Sequence, residues 1–163
     1  MQSPQPVQVN PDGRNAGSLG LVQASRNPSL LSNDPAVADQ LLKGLASQAA
    51  QENDAKMVDE LRNMLPGPPG SKISLDLLAL DIQRGRDHGL LNSYNQSRTS
   101  YGLPPLNSFS DLASDPTLQA QLDSVCGFVD NLDMWVGAIS EDHLPGSSMG
   151  ELSTAILRTQ FER

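Results

Sequence analysis

A short charged run that directly follows several leucines carries the side chains best suited to chemistry in this sequence. It contains Asp81, Arg84, Arg86 and His88. The two guanidinium groups could hold an anionic ligand such as a carboxylate or a phosphate, because each presents a fork of donors that matches two oxygens. An ion pair with Asp81 or Asp87 would explain the same arginines without a ligand. From the residues alone this simpler interpretation is favoured.

Asp81 is the most informative single residue of the run. It follows Leu80 and precedes Ile82 inside an otherwise apolar stretch. A carboxylate in such surroundings must be paired, protonated or hydrogen-bonded to a buried group, because an isolated charge is costly to remove from water. Asp81 is therefore a candidate functional residue.

The two histidines support a weaker argument. His88 could act as an acid, a base or a metal ligand, but a helix end capped by Gly89 in the left-handed conformation explains it more simply. His143 follows Glu141 and Asp142, a pattern that could indicate a cation site, although a solvated loop is the preferred interpretation. We therefore assign no catalytic residue and no metal ligand from this pattern.

A helix must position the charged run. Ser74 is a suitable N-cap, and the leucines that follow make the segment apolar on nearly every side, which predicts a core helix. Apolar residues at helical spacing, with proline and glycine breaks between them, predict further helices. These cover 35–51, 57–65, 93–101, 117–126, 129–139 and 152–161.

The predicted fold class is all-α, a mainly helical domain fragment with long loops, because no segment alternates polar and apolar residues with period two. Residues 1–33 form a loop-rich segment and residues 34–163 a helical part. The last helical pattern runs to Arg163 without a closing glycine or proline, so we expect both ends of the chain to be cut from a longer domain.

Composition excludes several classes of function. The chain has 163 residues, 11 Lys plus Arg against 19 Asp plus Glu, and a net charge of -8, which argues against binding to nucleic acid or an anionic membrane. Its single cysteine, Cys126, excludes an internal disulfide and a cysteine-rich zinc site, and an ordinary buried thiol is expected. No apolar stretch is long enough to span a membrane. Common nucleotide-binding and hydrolase motifs are also absent.

Residues 77–90, LLALDIQRGRDHGL, closely resemble the signature of the animal-type haem peroxidases, the peroxidase-cyclooxygenase superfamily, in its bacterial branch. From about Gly13 onward, further matching segments follow in the family's order. They are 42–48, 58–63, 94–95, 102–105, 108–112, 129–137 and 141–146.

The resemblance implies a mainly helical domain that holds haem b, reduces hydrogen peroxide, oxidises halides, phenols or other organic donors, and serves in the response to oxidative stress. In the family, the position of Asp81 is usually an asparagine that hydrogen-bonds the proximal histidine. An aspartate would accept that hydrogen bond more strongly and lower the reduction potential of the iron. The resemblance also places Arg84 at a haem propionate and Leu77 and Leu80 near the haem face, as cofactor-binding residues.

Two departures from the family pattern limit this expectation. The loop at 90–95 lacks the usual proline and is one residue longer than in the family. The family's distal and proximal histidines lie upstream, and neither His88 nor His143 matches them. Residues 1–4 resemble those that directly follow the proximal histidine. The resemblance thus implies the C-terminal part of a peroxidase domain, inactive alone, whose partner is the missing N-terminal half.

A non-enzymatic helical interaction module derived from the same family is the alternative. Such a module would have to fold alone, and the apolar faces left by half a domain argue against it. The family resemblance suggests a secreted or extracellular protein, although residues 1–10 contain no export signal. The donor substrate, the oligomeric state and the location are left open by the sequence.

Overall fold

The structure, a computed structural model, describes residues 7–9, 12–20, 27–63, 65–66, 74–89 and 93–162. The chain divides into two compact units, one of residues 1–51 and 57–78, the other of residues 52–56 and 79–163. The peroxidase-like residues 1–4 and most of the departing loop, residues 90–92, lie outside the described residues.

The first unit contains short helices and two small antiparallel pairs of strands. In β1 and β2, Val7 lies opposite Ser18, and in the second pair Leu65 lies opposite Leu75. The elements are β1 (Val7–Val9), β2 (Asn15–Ser18), α1 (Ser29–Asn33), α2 (Ala36–Ser47), α3 (Asp59–Asn63), β3 (Leu65–Pro66) and β4 (Ser74–Leu75).

Helix α2 begins where the sequence predicts it. Asp34 Oδ1 accepts a hydrogen bond from the backbone N–H of Ala36 at 2.9 Å, next to Pro35 at the helix start. The helix ends at Ser47, four residues earlier than the predicted end at residue 51. Leu45 on this helix is 73% exposed, so its apolar stripe is only partly covered.

The second unit is built from helices and two short 3₁₀ turns. Helix α4 (Leu77–Asp87) carries the charged run, and all its residues from Ala79 onward belong to this unit. The other helices are α5 (Tyr94–Ser100), α6 (Pro116–Cys126), α7 (Met134–Ser140) and α8 (Glu151–Phe161), with the 3₁₀ turns at Phe109–Asp111 and Val129–Asn131.

The core of the second unit forms around Tyr94, Leu132 and Leu152, each with an exposed fraction of 0%. Phe109, Leu112, Ala113, Leu122 and Val129 complete this cluster. Gly137 of α7 lies against the ring of Tyr94, where a Cβ atom would fall 2.5 Å from Cγ of the tyrosine. A glycine is therefore required for α5 and α7 to approach this closely.

The mainly helical fold is confirmed, with two corrections. Four short strands, β1 to β4, are present although no alternating pattern predicts them, because strands of two to four residues are too short to show a period. The prediction that α4 is a core helix is wrong for the described residues, since none of its residues is buried and Leu80 is 46% exposed. The apolar residues of α4 favour burial, but the described part of the chain does not bury them.

Cys126 is half-buried at the edge of the core, and burial raises the pKa of its thiol. Among the described residues, no helix is both long and apolar enough to cross a membrane.

Candidate functional site

The four residues that the resemblance assigns to the cofactor share one face of α4. Leu77, Leu80, Asp81 and Arg84 are spaced three, four and seven residues from the first, which places them on adjacent turns of the same side. Leu77 is half-buried, whereas the other three are exposed. We call this group the α4 face.

Arg84 and Asp81 form an ion pair within the α4 face. Arg84 Nη2 lies 3.0 Å from Asp81 Oδ1, as the simpler sequence interpretation predicts. The two side chains are 72% and 47% exposed, so Asp81 is not the buried carboxylate that its apolar neighbours suggest. An exposed pair of this kind contributes only about 0–1 kcal/mol. It can therefore open at little cost when a better anionic partner reaches the guanidinium.

The end of α4 is fixed to the start of α7. Arg86 Nε lies 3.6 Å from Asp133 Oδ2, and the other carboxylate oxygen of Asp133 accepts the backbone N–H of Trp135 at 3.1 Å. Gly89 has a φ of 65°, and its N–H donates to the carbonyl of Arg86 at 3.0 Å, which confirms the predicted left-handed cap. His88 is exposed beside it.

His143 lies in a loop whose neighbouring residues are mostly exposed, as expected, although its own ring is partly covered. Its side chain is 25% exposed, and Nε2 lies 2.8 Å from the carbonyl oxygen of Asn53. Nδ1 lies 3.2 Å from Oε2 of Glu52. The sequence could not reveal these contacts because the partners are about ninety residues away. Within the described ranges, no cluster of three or more histidine, cysteine, aspartate or glutamate side chains could hold a metal ion.

Sequence reasoning missed the most buried acid of the second unit, Glu141, which is 6% exposed. Its carboxylate accepts hydrogen bonds from Tyr94 Oη at 2.6 Å, from the backbone N–H groups of Leu152 and Ser153, both at 3.1 Å, and from Ser153 Oγ. Burial, the hydrogen bond to Glu141 and its charge raise the pKa of Tyr94 well above its ordinary value. The only sequence signal was the Glu141-Asp142 pair, which does not indicate burial.

A second buried polar group, Arg98, also escaped the sequence analysis. Its Nη2 donates to Glu151 Oε2 at 2.6 Å, its Nε donates to the carbonyl of Pro104 at 2.8 Å, and its guanidinium lies 5.8 Å from the ring centre of Tyr94. Burial lowers the pKa of Arg98, but the hydrogen bonds to Glu151 and Tyr94 outweigh this and raise it. These contacts are structural, because Arg98 is 4% exposed.

Asn95 organises the loop that follows α5. Its side-chain Nδ2 donates to the carbonyl of Leu106 at 3.0 Å and to Asp130 Oδ1 at 2.7 Å. Its Oδ1 accepts the backbone N–H of Leu106 at 2.8 Å. The Tyr-Asn pair at 94–95 therefore stabilises the second unit through both of its side chains.

Comparison with known protein families shows which family this chain belongs to. The family described as animal haem peroxidase matches residues 4–163 of this chain. The chain belongs to the animal haem peroxidase family. It is 40% identical over 123 residues to peroxinectin A of Dictyostelium discoideum and 39% identical over 130 residues to human eosinophil peroxidase. The resemblance predicted from the α4 signature and the segments after it is thus confirmed.

Solved structures agree with the helical fold. Peroxidase A from Dictyostelium discoideum superposes with a TM-score of 0.87 at 34% identity, over 99% of this chain. A fatty acid alpha-dioxygenase from Oryza sativa superposes with a TM-score of 0.79 at 21% identity, a level that shows the shared fold alone.

This member of the family spans only part of its relatives. The matches cover 76% of this chain but 23% of peroxinectin A, and 77% of this chain but 18% of eosinophil peroxidase. The chain covers 31% of the Peroxidase A structure. It therefore corresponds to one portion of a haem peroxidase domain.

Proposed function

We propose that this chain forms the C-terminal portion of a haem peroxidase domain that reduces hydrogen peroxide while oxidising an organic or halide donor. The observation that carries the proposal is the α4 face, where an exposed arginine and an exposed aspartate lie beside two leucines. Membership of the animal haem peroxidase family supports haem as the cofactor, and we assign haem b to this face as part of the proposal.

The residues of the α4 face fit such a group. Haem is a flat apolar macrocycle with two propionate carboxylates, so its faces favour apolar side chains and its carboxylates favour a nearby cation. Leu77 and Leu80 offer the apolar surface, and Arg84 offers a guanidinium that is 72% exposed. Arg84 can exchange the carboxylate of Asp81 for a propionate, because both partners present two oxygens to the same fork of donors.

The same exchange would free Asp81 for a second role. Asp81 Oδ1, which accepts from Arg84 here, can instead accept the N–H of an axial imidazole. A carboxylate in this position orients the imidazole and increases its basicity, a property that tunes the iron. When bound, haem supplies the iron at which the oxygen–oxygen bond of the peroxide is cleaved.

We also propose that the axial histidine and the distal base come from residues beyond this sequence. Its two histidines are His88, exposed after the end of α4, and His143, whose ring nitrogens contact Asn53 and Glu52. Neither lies on the α4 face. Peroxide cleavage needs a base that moves the peroxide proton and a ligand that holds the iron. On this proposal the 163-residue chain alone does not turn over peroxide.

A hemin titration of the full chain, with excess imidazole as a substitute axial ligand, tests the proposal. We expect Arg84→Gln to weaken hemin binding about tenfold, the lower end of the loss when a hydrogen bond to a charged group is removed. Arg158→Gln is the matched control, because Arg158 is also exposed and pairs with an acid, Glu162, directly after the end of α8. Equal affinity of the two variants would refute the role of Arg84. If the chain with hemin oxidised a phenol with peroxide faster than free hemin does, the proposal that the chain alone does not turn over peroxide would be refuted.

The family also suggests the partner and the location. The partner would be the N-terminal portion of the same domain, which would cover the α4 face, and the location would be extracellular. Capture of a separately expressed N-terminal portion by this chain tests the proposed partner. Fractionation of cells and medium for the native product tests the proposed location. The alternative is a non-enzymatic interaction module. It would be favoured if the chain showed no hemin binding and unfolded cooperatively without hemin.

A further inference from the structure

The last turn of α4 carries two arginines on nearly opposite sides of the helix. Arg84 belongs to the α4 face, and Arg86 follows it by two residues. Successive residues of an α-helix are rotated by about 100°, so the two side chains leave the helix axis about 200° apart. Arg86 therefore lies on the side of α4 that is turned away from the α4 face.

The side of α4 that carries Arg86 is more covered than the side that carries Arg84. Ile82 lies four residues before Arg86, hence on the same side, and it is half-buried. Three members of the α4 face, Leu80, Asp81 and Arg84, are exposed. An attachment made through Arg86 would therefore leave the α4 face free to contact a ligand.

Arg86 makes such an attachment to the residue that begins α7. Its Nε lies 3.6 Å from Oδ2 of Asp133, and the side chain of Asp133 is only 14% exposed. An ion pair with one shielded partner is less screened by water than a pair in which both are exposed. The other polar side chains in the last two turns of α4 pair within the helix, Gln83 with Asp87 and Arg84 with Asp81. Arg86 is therefore the side chain that connects the end of α4 to α7.

Asp133 is a firm point of attachment, because other contacts fix it. Its Oδ1 accepts the backbone N–H of Trp135 at 3.1 Å, and its carbonyl oxygen accepts that of Gly137 at 2.9 Å. Its backbone also forms an antiparallel bridge with Ser93, and Leu132 before it is fully buried in the core. A side chain that pairs with Asp133 is thus held relative to the core of the second unit.

We propose that Arg86 is a positioning residue, whose ion pair with Asp133 holds the end of α4 so that Arg84 is oriented for an anionic ligand. Arg86 does not touch the ligand, because it lies on the other side of the helix. A group that is held in place before binding loses less conformational freedom on binding, so the attachment increases the affinity of Arg84 for a carboxylate. This inference rests on the proposed function, in which that carboxylate is a haem propionate.

A double-mutant cycle of hemin affinity, measured on the full chain with excess imidazole, tests the positioning role. We expect Arg86→Gln to weaken hemin binding about two- to fivefold, the change that corresponds to one partly exposed ion pair. Because Arg86 acts through Arg84, the two losses should not add, and the variant with both substitutions should bind hemin as Arg84→Gln does. Arg86→Lys preserves the charge and should restore most of the affinity. Arg158→Gln, which removes an exposed charge from α8, measures the effect of net charge alone.

Hydrogen exchange of the α4 amides in the chain without hemin separates this inference from the proposed function. Arg86→Gln and Asp133→Asn each remove one partner of the ion pair, and both should speed exchange in the last turn of α4 while exchange in α5 stays unchanged. Additive losses of hemin affinity, or α4 exchange that neither variant changes, would overturn the positioning role alone. A wild-type chain that does not bind hemin would instead refute the proposed function, and the role of Arg86 with it.

Discussion

Tyr94 and Glu141 form a buried hydrogen bond, 2.6 Å between Oη and Oε2, that joins α5 to the residue directly after α7. Tyr94 has an exposed fraction of 0% and Glu141 of 6%. The same carboxylate accepts the first N–H groups of α8, including that of Leu152 at 3.1 Å. One acid thus connects three helices, and the negative charge lies at the N-terminus of α8, where the helix dipole favours it.

Tyr94→Phe should destabilise the chain by about 1–3 kcal/mol, because it removes a donor from a buried carboxylate. Urea denaturation measures the change in the free energy of unfolding. Tyr101→Phe is the matched control and should have little effect, since Tyr101 is 40% exposed. Equal stabilities of the two variants would contradict the structural role given to Tyr94.

Alkaline pH should unfold the second unit as Tyr94 ionises. Burial and Glu141 raise the pKa of Tyr94 above its ordinary value of 10.0, so the folded state retains a proton that the unfolded state loses. This contribution to stability is complete below about pH 10 and decreases as the pH rises above it. In a Tyr101→Phe background, the ultraviolet phenolate signal of Tyr94 should rise together with loss of helical circular dichroism. A phenolate signal that precedes unfolding would disprove the prediction.

Gly137→Ala should be strongly destabilising, because its Cβ would fall 2.5 Å from Cγ of Tyr94. Overpacking of this kind costs about 1–3 kcal/mol. Gly85→Ala in α4 is the matched control: a Cβ there meets nothing within 4 Å, and alanine favours a helix over glycine by about 1 kcal/mol. Thermal unfolding should therefore shift to lower temperature for the first variant and to higher temperature for the second. An unchanged or higher unfolding temperature for Gly137→Ala would indicate that α5 and α7 are not in close contact.

Asp133 should matter more as the N-cap of α7 than as the partner of Arg86. Asp133→Ala removes both contacts and should cost about 1 kcal/mol, the usual value of a cap. Asp133→Asn preserves the cap and removes only the charge, as Arg86→Gln does, and each should cost less, because Arg86 is 54% exposed. Denaturation curves that rank Asp133→Asn with Asp133→Ala would show that the ion pair dominates.

The proposed role of Asp81 predicts a change in redox potential. With hemin and imidazole bound to the full chain, Asp81→Asn should raise the reduction potential of the iron, because an amide accepts the imidazole N–H less strongly than a carboxylate. Asp87→Asn, an exposed substitution on the same helix, should leave the potential unchanged. Spectroelectrochemical titration measures both. Equal shifts in the reduction potential of the two variants would mean that the net charge of α4, and not the position of Asp81, determines the potential.

Local patterns in the sequence predicted several helix starts and ends, although the N-cap prediction at Ser74 is wrong: Ser74 lies in β4, α4 begins at Leu77, and Asp76 Oδ1 accepts the N–H of Leu78. The starts of α2 and α6 follow from Asp34-Pro35 and Asp115-Pro116, where a capping carboxylate precedes a proline at the helix start. The cap at Gly89 was equally predictable, because only glycine adopts a positive φ without strain. Such signals depend on a few neighbouring residues, so helix starts and ends can be predicted without knowledge of the tertiary structure.

Burial and long-range pairing were not predictable in the same way. The leucines of α4 predict a buried helix, yet Leu80 is 46% exposed in the described chain, because burial depends on whether another surface covers the helix. Glu141 is an acid next to an acid, yet it is buried, because Tyr94 lies 47 residues away in sequence but in contact in space. His143 likewise contacts Asn53 and Glu52, which are about ninety residues away in sequence.

The sequence by itself determined the family, the helical class and the positions of Asp81 and Arg84 on one side of α4, because motif order and helical spacing are local properties of the chain. Only the tertiary structure decided that the predicted pair of Arg84 and Asp81 is exposed, that Glu141 and Arg98 are buried, and that His143 faces two acceptors. Those outcomes depend on which distant segments come within a few ångströms of each side chain, and a linear pattern contains no distances.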